Sequence, residues 1–306
     1  MSYQDYRYRF HPRHGVLGRL QAYARLIRLD KPIGTLLLLW PTLWALWIAA
    51  EGVPDWHILA VFVAGVALMR SAGCAINDYA DRDFDPHVSR TRQRPLAAHE
   101  IQPFEALLVA GTLALIAFAL VLTLNRPTLW MAVGAVLLAA SYPFMKRYHY
   151  MPQVHLGVAF AWAIPMAFTA QTGALPTQSG WLLFLAAVLW TTAYDTMYAM
   201  VDRDDDLKIG IKSTAILFGD ADRVGIALLQ AMMFMALIFV GRLEQLGWAY
   251  YVGLVIAAVL ALYQQFLIRE RRPSDCMRAF LNNNSLGLVI FIGLALERWL
   301  AARIPV

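Results

Sequence analysis

Nine long apolar stretches constrain the fold of this 306-residue chain more than any other feature. They lie at about 33–50, 57–77, 104–124, 128–145, 154–172, 180–201, 222–241, 247–268 and 285–302. Each is close to the roughly 20 residues that a helix needs to cross the hydrocarbon core of a bilayer. The stretches are continuous rather than alternating, which excludes a closed membrane barrel. The sequence therefore predicts an all-α, polytopic membrane protein with nine transmembrane helices.

Composition supports this class and excludes others. Hydrophobic residues make up 59% of the chain and charged residues 15%, whereas a soluble domain carries about 25% charged residues. The net charge of +5 does not indicate nucleic-acid binding, because the basic residues lie in particular loops of a membrane chain. Cys74 and Cys276 show neither paired nor metal-ligand spacing, which favours packing roles over a disulfide or a zinc site.

The distribution of basic residues predicts the topology. Most of the 26 lysines and arginines lie in the N-terminal tail and in the loops after the even-numbered helices. The positive-inside rule then places the N-terminus and these loops in the cytoplasm and the C-terminus outside. Residues 1–31 are predicted to be a cytoplasmic basic segment with an amphipathic helix on the membrane surface, and residues 32–306 the intramembrane domain. The tail lacks the apolar core of a cleavable signal peptide.

Two acidic motifs close the second and the sixth apolar stretches. The first, Asn77 to Asp85, reads N-D-Y-A-D-R-D-F-D, and the second, Asp195 to Asp206, reads D-T-M-Y-A-M-V-D-R-D-D-D. Because a similar motif returns four helices later, the sequence predicts two four-helix units followed by a ninth helix. So many carboxylates at the mouth of a membrane segment are costly unless a cation lies between them.

Helical spacing predicts that each motif presents its oxygen atoms on one face. The residues that share a face are Asn77, Asp78, Asp81 and Asp85 in the first motif and Asp195, Asp202 and Asp206 in the second. Oxygen-only clusters suit Mg²⁺ or Mn²⁺ rather than zinc, and Mg²⁺ usually shares its coordination with substrate phosphate. The motifs therefore predict a magnesium-bound diphosphate, and a diphosphate that reaches a membrane centre is a lipid one.

Basic and aromatic residues near the motifs suggest further contacts. Those available to a phosphate group are Arg82, Arg203, Lys208 and Lys212. Ionisation of an allylic carbon–oxygen bond would give a carbocation, which a ring face such as that of Tyr198 can stabilise; interfacial packing is the alternative interpretation of these rings. Arg70 lies within the second helix and needs a counter-charge, which the acidic centre would supply if Arg70 faces it.

At these residues the chain resembles the intramembrane aromatic prenyltransferase superfamily, whose signatures N-D-x-x-D-x-x-x-D and D-x-x-Y-A-x-x-D-x-x-x-D are complete here. Further stretches are similar to its bacterial 4-hydroxybenzoate polyprenyltransferase branch. They are L-D-K-P-I-G-T-L-L-L-L-W-P-T-L-W-A-L from Leu29, R-T-R-Q-R-P-L from Arg90, Y-P-F-M-K-R-Y from Tyr142, P-Q-V-H-L-G-V-A-F-A-W-A-I-P-M-A-F from Pro152 and D-D-D-L-K-I-G-I-K-S-T-A-I-L-F-G from Asp204. The similarity is looser over the last three helices.

The resemblance implies a bacterial inner-membrane enzyme of ubiquinone biosynthesis. Its substrates would be polyprenyl diphosphate and 4-hydroxybenzoate, joined at the ring carbon ortho to the hydroxyl. The resemblance places Mg²⁺ and diphosphate on the two motifs, at Asn77, Asp81, Asp85, Asp202 and Asp206. It also implies a basic residue for the acceptor's carboxylate, for which the matching stretch offers Arg147 with Lys146 as its neighbour. Asp195, deeper than Asp202, is the candidate to accept the phenolic or ring proton.

Other interpretations remain open at the level of sequence. The acidic motifs bind only the donor, so a naphthoate, homogentisate or haem acceptor stays an alternative. Lys146 and Arg147 could equally be charges that set the topology. A cation transporter would place its binding residues near the bilayer midplane, whereas these motifs cluster at one membrane face. Phosphatidyl transfer lacks its D-G-x-x-A-R core, since Pro86 follows Asp85. Prenyl length and oligomeric state leave no signal.

Overall fold

The computed structural model describes residues 15–88 and 90–303, apart from the side chains of His87, Phe144, Lys146 and Ile209. All regular secondary structure in these ranges is helical, which confirms the all-α prediction for this part of the chain. The α-helices are α1 (Val16–Leu26), α2 (Ile33–Ala49), α3 (Trp56–Asp81), α4 (Pro103–Val121), α5 (Arg126–Tyr148), α6 (Pro152–Ala161), α7 (Ala163–Thr172), α8 (Gln178–Ile209), α9 (Thr214–Phe218), α10 (Asp222–Leu243), α11 (Trp248–Leu267) and α12 (Pro273–Ala301).

Helices cover each of the nine apolar stretches of the sequence. Two of these helices are α2, with 17 residues, and α5, with 23 residues. The other stretches lie in seven helical segments of the described chain that are long and apolar enough to cross a membrane. These are Trp56–Asp81, Pro103–Val121, Pro152–Thr172, Gln178–Lys208, Thr214–Leu243, Trp248–Glu270 and Pro273–Ala301. The chain is therefore built as a multi-pass membrane protein.

The long helix α8 lies at the centre of the bundle, packed against α2, α6, α10 and α12. Its inner side chains are buried, with Trp190, Tyr194 and Met197 no more than 2% exposed. Trp190 stacks on Trp44 of α2, with the ring centroids 5.2 Å apart. Because α8 carries the second acidic motif near its C-terminal end, this packing fixes where the motif lies.

Three consecutive asparagines of α12 each bind a different helix. Asn282 accepts a hydrogen bond from α11, Asn283 accepts one from Trp190 of α8 and Asn284 accepts one from Trp40 of α2, at 2.8–3.0 Å. Carboxamides inside a membrane need such partners, because no water is available to them. The three bonds hold α12 against helices from both halves of the chain.

The first acidic motif departs from the helical geometry predicted for it. Helix α3 ends at Asp81, and Asp85 begins a separate 3₁₀ turn, Asp85–His87. Pro86 explains the break, since the residue before a proline is disfavoured in the α conformation. The prediction that Asp85 shares a helix face with Asn77 and Asp81 is therefore wrong. The second motif is helical throughout, as predicted, because α8 continues to Ile209.

The N-terminal segment packs against the helix of the first motif. Ala22 and Leu26 of α1 are buried in a small apolar cluster with Ala72 and Ala75 of α3. Ion pairs from Arg19 to Glu105 and from Arg25 to Glu100 fasten α1 to the region around α4. Residues 1–14 of the predicted basic segment lie outside the described residues.

Candidate active site

The two acidic motifs line the same small cavity, of about 150 Å³. Helix α3 contributes Asn77 and Asp81, and the turn after it contributes Asp85. Helix α8 contributes carboxylates at positions 195, 202 and 206, which fall on one face as their spacing predicts. The structure thus joins two motifs that are more than 100 residues apart in the sequence. Asp78 does not line this cavity.

Two arginines of the loop between α3 and α4 hold the motif carboxylates. Arg90 Nε donates to both oxygens of Asp202, at 3.0 and 3.1 Å, and its guanidinium lies 4.6 Å from the ring centroid of Tyr198. Arg94 Nη1 lies 2.9 Å from Asp85 Oδ2 and 3.2 Å from Asp78 Oδ1. Both arginines belong to the R-T-R-Q-R-P-L stretch, whose sequence alone assigned neither of them to the site. Arg90 therefore links the loop after the first motif to the second motif.

Electrostatics around the turn reflect burial and these arginines. The pKa of Asp85 is raised to about 6: burial makes the largest upward contribution, Arg94 acts to lower the value, and the charges of Asp81 and Asp78 act to raise it. Burial also acts to lower the pKa of the Arg94 guanidinium, but Asp78 and Asp85 outweigh it and the net shift is upward. The loop arginine thus stays protonated and offsets the repulsion between neighbouring carboxylates.

The donor set of the small cavity fits a hard divalent cation. Its walls carry carboxylates and the carboxamides of Asn77 and Gln153, which is the ligand chemistry that Mg²⁺ prefers. Within the described residues no group of three or more His, Cys, Asp or Glu side chains is drawn together as a metal centre. Arg90 and Arg94 instead neutralise the carboxylates of opposite walls. The residues that could hold the metal are Asn77, Asp81, Asp85, Asp202 and Asp206.

A much larger cavity, of about 1120 Å³, adjoins the small one. Both are lined by Asn77, Arg90, Arg94, Tyr142, Pro143, Asp195 and Tyr198, so the two cavities share a wall. The walls of the large cavity are mostly apolar and come from α2, α3, α4, α5, α6 and α7, among others. Such a chamber suits a long hydrocarbon chain whose polar head lies among the carboxylates.

Arg70 of α3 lies on the wall of the large cavity, two turns before the first motif. Its guanidinium carbon lies 5.7 Å from the ring centroid of Phe160, and Asp195 lies within its electrostatic reach. Among the described residues no carboxylate approaches Arg70 to ion-pair distance. This arginine therefore faces the acidic centre, as the sequence suggested, and keeps its hydrogen-bond donors available to an anionic ligand.

Only some of the other residues predicted to bind substrate line a cavity. Tyr198 and Lys212 line the small cavity. Arg82 donates to the carbonyl of Tyr79, Arg203 pairs with the buried Asp222, and Lys208 pairs with Asp205, so the structure does not bring these three to the cavity. Arg147 donates to the carbonyl of Ala80 and lines neither cavity. The side chain of Lys146 lies outside the described residues.

Comparison with known proteins identifies the family of this chain. Residues 38–286 match the model of the UbiA prenyltransferase family. The chain belongs to that family. A relative from Nitrosococcus oceani, a 4-hydroxybenzoate octaprenyltransferase, is 61% identical over 279 residues, which cover 91% of this chain and 98% of the relative. The two proteins can therefore be compared over nearly their whole lengths.

Solved structures of UbiA family members share the fold at lower identity. A UbiA homolog from Aeropyrum pernix superposes with a TM-score of 0.76 at 23% identity, over 86% of this chain and 97% of that one. A UbiA homolog from Archaeoglobus fulgidus, bound to GPP and Mg²⁺, gives a TM-score of 0.72 at 20% identity, over 90% of this chain and 99% of that one. The helical architecture described above is thus that of the family.

Proposed function

We propose that this protein transfers a polyprenyl group from polyprenyl diphosphate to the ring carbon ortho to the hydroxyl of 4-hydroxybenzoate, releasing diphosphate, as a step of ubiquinone biosynthesis. One structural observation carries the proposal. Two acidic motifs line one small cavity, which adjoins a large, mostly apolar chamber within the membrane helices. A lipid diphosphate and an aromatic acid fit this combination, and the relative from Nitrosococcus oceani bears the name of that activity.

The small cavity is the proposed site of the diphosphate. Asn77, Asp81, Asp85, Asp202 and Asp206 would hold Mg²⁺, which when bound neutralises charge on the leaving diphosphate and so favours cleavage of the allylic carbon–oxygen bond. A Mg²⁺-bound homolog from Archaeoglobus fulgidus supports the choice of metal.

The protein's own cations complete the diphosphate site. Arg90, Arg94 and Lys212 line the same cavity and offer donors for phosphate oxygens. Arg90 and Arg94 would keep their contacts with Asp202 and Asp85 and would direct their remaining N–H groups to the anion. The sequence also suggested Arg82, Arg203 and Lys208, but the contacts of these side chains point to other roles.

Arg70 is the residue we favour as partner of the acceptor's carboxylate. It lines the chamber, it lacks an ion-paired carboxylate among the described residues, and a planar guanidinium binds a carboxylate through two parallel hydrogen bonds. Arg147, the candidate from the sequence, lines neither cavity. A substrate carboxylate on Arg70 would bring the aromatic ring beside Asp195.

The bond changes follow from this placement. The carbon–oxygen bond between the first prenyl carbon and diphosphate breaks, a bond forms from that carbon to the ring, and the ring then loses the proton at the attacked position. Asp195 lies on the wall common to both cavities and is the proposed acceptor of that proton. The rings of Tyr142 and Tyr198 line the same passage and can stabilise positive charge on the prenyl group.

The proposal also includes the number of membrane spans and the orientation of the chain. We assign nine spans, adding α2 and α5 to the seven segments that meet the length and apolarity of a span. They would form two four-helix units and a ninth helix. We also assign the N-terminus and the acidic cavity to the cytoplasmic side of the bacterial inner membrane and the C-terminus to the periplasm, an orientation that the excess of basic residues supports.

Prenyl transfer in isolated membranes tests the proposal. Membranes receive polyprenyl diphosphate and 4-hydroxybenzoate with Mg²⁺ or with a chelator, and the prenylated acid is followed by mass. Metal-dependent formation of this product is the expected result. Product from a naphthoate or homogentisate alone would overturn the acceptor assignment, and the absence of turnover with every acceptor would overturn the enzyme itself.

A further inference from the structure

Asp78 differs from the other carboxylates of the first motif in its surroundings. Its side chain is fully buried and lines the large cavity rather than the small one. Its Oδ1 atom accepts a hydrogen bond from Arg28 Nη2 at 2.7 Å and lies 3.2 Å from Arg94 Nη1. Two protein cations thus share one oxygen atom of this carboxylate.

Arg94 connects Asp78 to Asp85. The same nitrogen that lies beside Asp78 donates to Asp85 Oδ2 at 2.9 Å. Because α3 ends at Asp81, the helix does not determine where Asp85 points. The bridge from Asp78 through Arg94 therefore ties the turn that carries Asp85 back to the helix.

Arg28 is held in an unusual conformation beside this bridge. Its backbone φ is +59°, in the left-handed region that residues other than glycine rarely adopt. Its Nη1 donates to the carbonyl of Arg25 at 2.6 Å, so the same guanidinium both caps the end of α1 and binds Asp78. With Arg28, the buried cluster holds two carboxylates and two guanidinium groups and is electrically balanced.

We propose that Asp78 is a positioning residue. It holds Arg94 in place, and Arg94 in turn holds Asp85 at the small cavity. Arg28 supplies the second cation that balances the charge of the cluster. The N-terminal segment thereby supports the geometry of the metal and diphosphate site. This inference rests on the proposed function. The competing role is direct metal ligation through Asp78 Oδ2, which is buried and has no hydrogen-bond partner among the described residues.

Binding of Mn²⁺ to the full-length protein in lipid nanodiscs separates the two roles. Electron paramagnetic resonance gives the number of bound ions and their affinity for the wild type and for Asp78→Asn, Arg28→Gln, Arg94→Gln and Asp81→Asn. The matched control is Arg19→Gln, which removes an ion pair of α1 with Glu105 that does not touch the motif.

A positioning role predicts that Asp78→Asn keeps the number of bound Mn²⁺ ions and weakens their binding by about 10-fold, as loss of an outer partner of a metal site does. Arg28→Gln weakens binding in the same direction, and Arg19→Gln leaves it unchanged. Adding Asp78→Asn to Arg94→Gln produces less than about a twofold further change, because both act through one bridge.

The opposite results would overturn the inference. Loss of a bound ion in Asp78→Asn, equal to the loss in Asp81→Asn, would make Asp78 a ligand. If the effects of Asp78→Asn and Arg94→Gln on Mn²⁺ affinity multiply in the double variant, the two residues act independently, which would contradict the bridge. If Asp78→Asn does not fold, Arg28→Gln alone decides, since an unchanged affinity there removes the role of the N-terminal segment. A wild type without Mn²⁺ binding and without prenyl transfer would instead refute the proposed function.

Discussion

Replacing Gly34 of α2 by alanine is the sharpest test of the proposed acceptor site. A Cβ atom at Gly34 would lie 2.3 Å from Arg70 Nε and 2.7 Å from its Cζ. Since ordinary contacts begin near about 3.5 Å, the guanidinium must retreat by roughly 1 Å. The clashing atoms are the far end of a flexible side chain, so the helices keep their packing while Arg70 moves.

A displacement of this size has a calculable consequence. A misplacement of about 1 Å at a substrate-orienting group can cost up to 10²-fold in rate. We therefore expect kcat/KM for 4-hydroxybenzoate to fall about 10- to 100-fold, or about 1.4–2.7 kcal/mol of transition-state stabilisation. The KM for polyprenyl diphosphate and the requirement for Mg²⁺ should change little, because Arg70 does not line the small cavity.

Steady-state prenyl transfer in nanodiscs, with each substrate varied in turn, measures this effect. Gly111→Ala in α4 is the matched control, since a Cβ there meets no atom within 4 Å. Arg70→Gln should be at least as impaired as Gly34→Ala. Wild-type kcat/KM in Gly34→Ala would refute the assignment of the carboxylate to Arg70. Equal losses for both substrates would indicate a shifted helix instead.

Three further outcomes follow from the geometry. Asp202→Ala should abolish turnover while the protein still inserts into membranes, and normal activity would contradict a metal role for the second motif. Gly253→Ala should lower the stability by about 1–3 kcal/mol, because its Cβ would lie 2.9 Å from the backbone oxygen of Val289; thermal unfolding in detergent measures this, with Gly65→Ala, which meets open space, as control. Chelation of divalent metal should stop prenyl transfer and added Mg²⁺ should restore it, whereas activity that persists in chelator would exclude the metal.

The site residues could be predicted where charged side chains interrupt an otherwise apolar segment. Carboxylates are rare at the ends of apolar helices, so the two motifs were evident from the sequence. The spacing of the second motif also gave its helix face correctly, because α8 is continuous through it. The same rule failed at Asp85, where Pro86 ends the helical geometry and a loop takes over.

The arginines were harder to assign than the carboxylates. Arg90 and Arg94 lie in a loop without periodicity, so no sequence rule states which carboxylate each one meets. Arg203 lies within the second motif and Lys208 just after it, yet they do not line the cavity and pair with Asp222 and Asp205. Neighbouring positions in a sequence do not share a direction on a helix.

The sequence by itself determined that the described chain is an all-α membrane protein with two acidic motifs, because segment length, hydrophobicity and charge are local properties. Only the tertiary structure decided that the motifs meet in one cavity, that Arg94 joins Asp78 to Asp85, and that Arg70 lines the chamber while Arg147 does not. These relations depend on how helices distant in the sequence pack against each other, and local patterns carry no information about such distances.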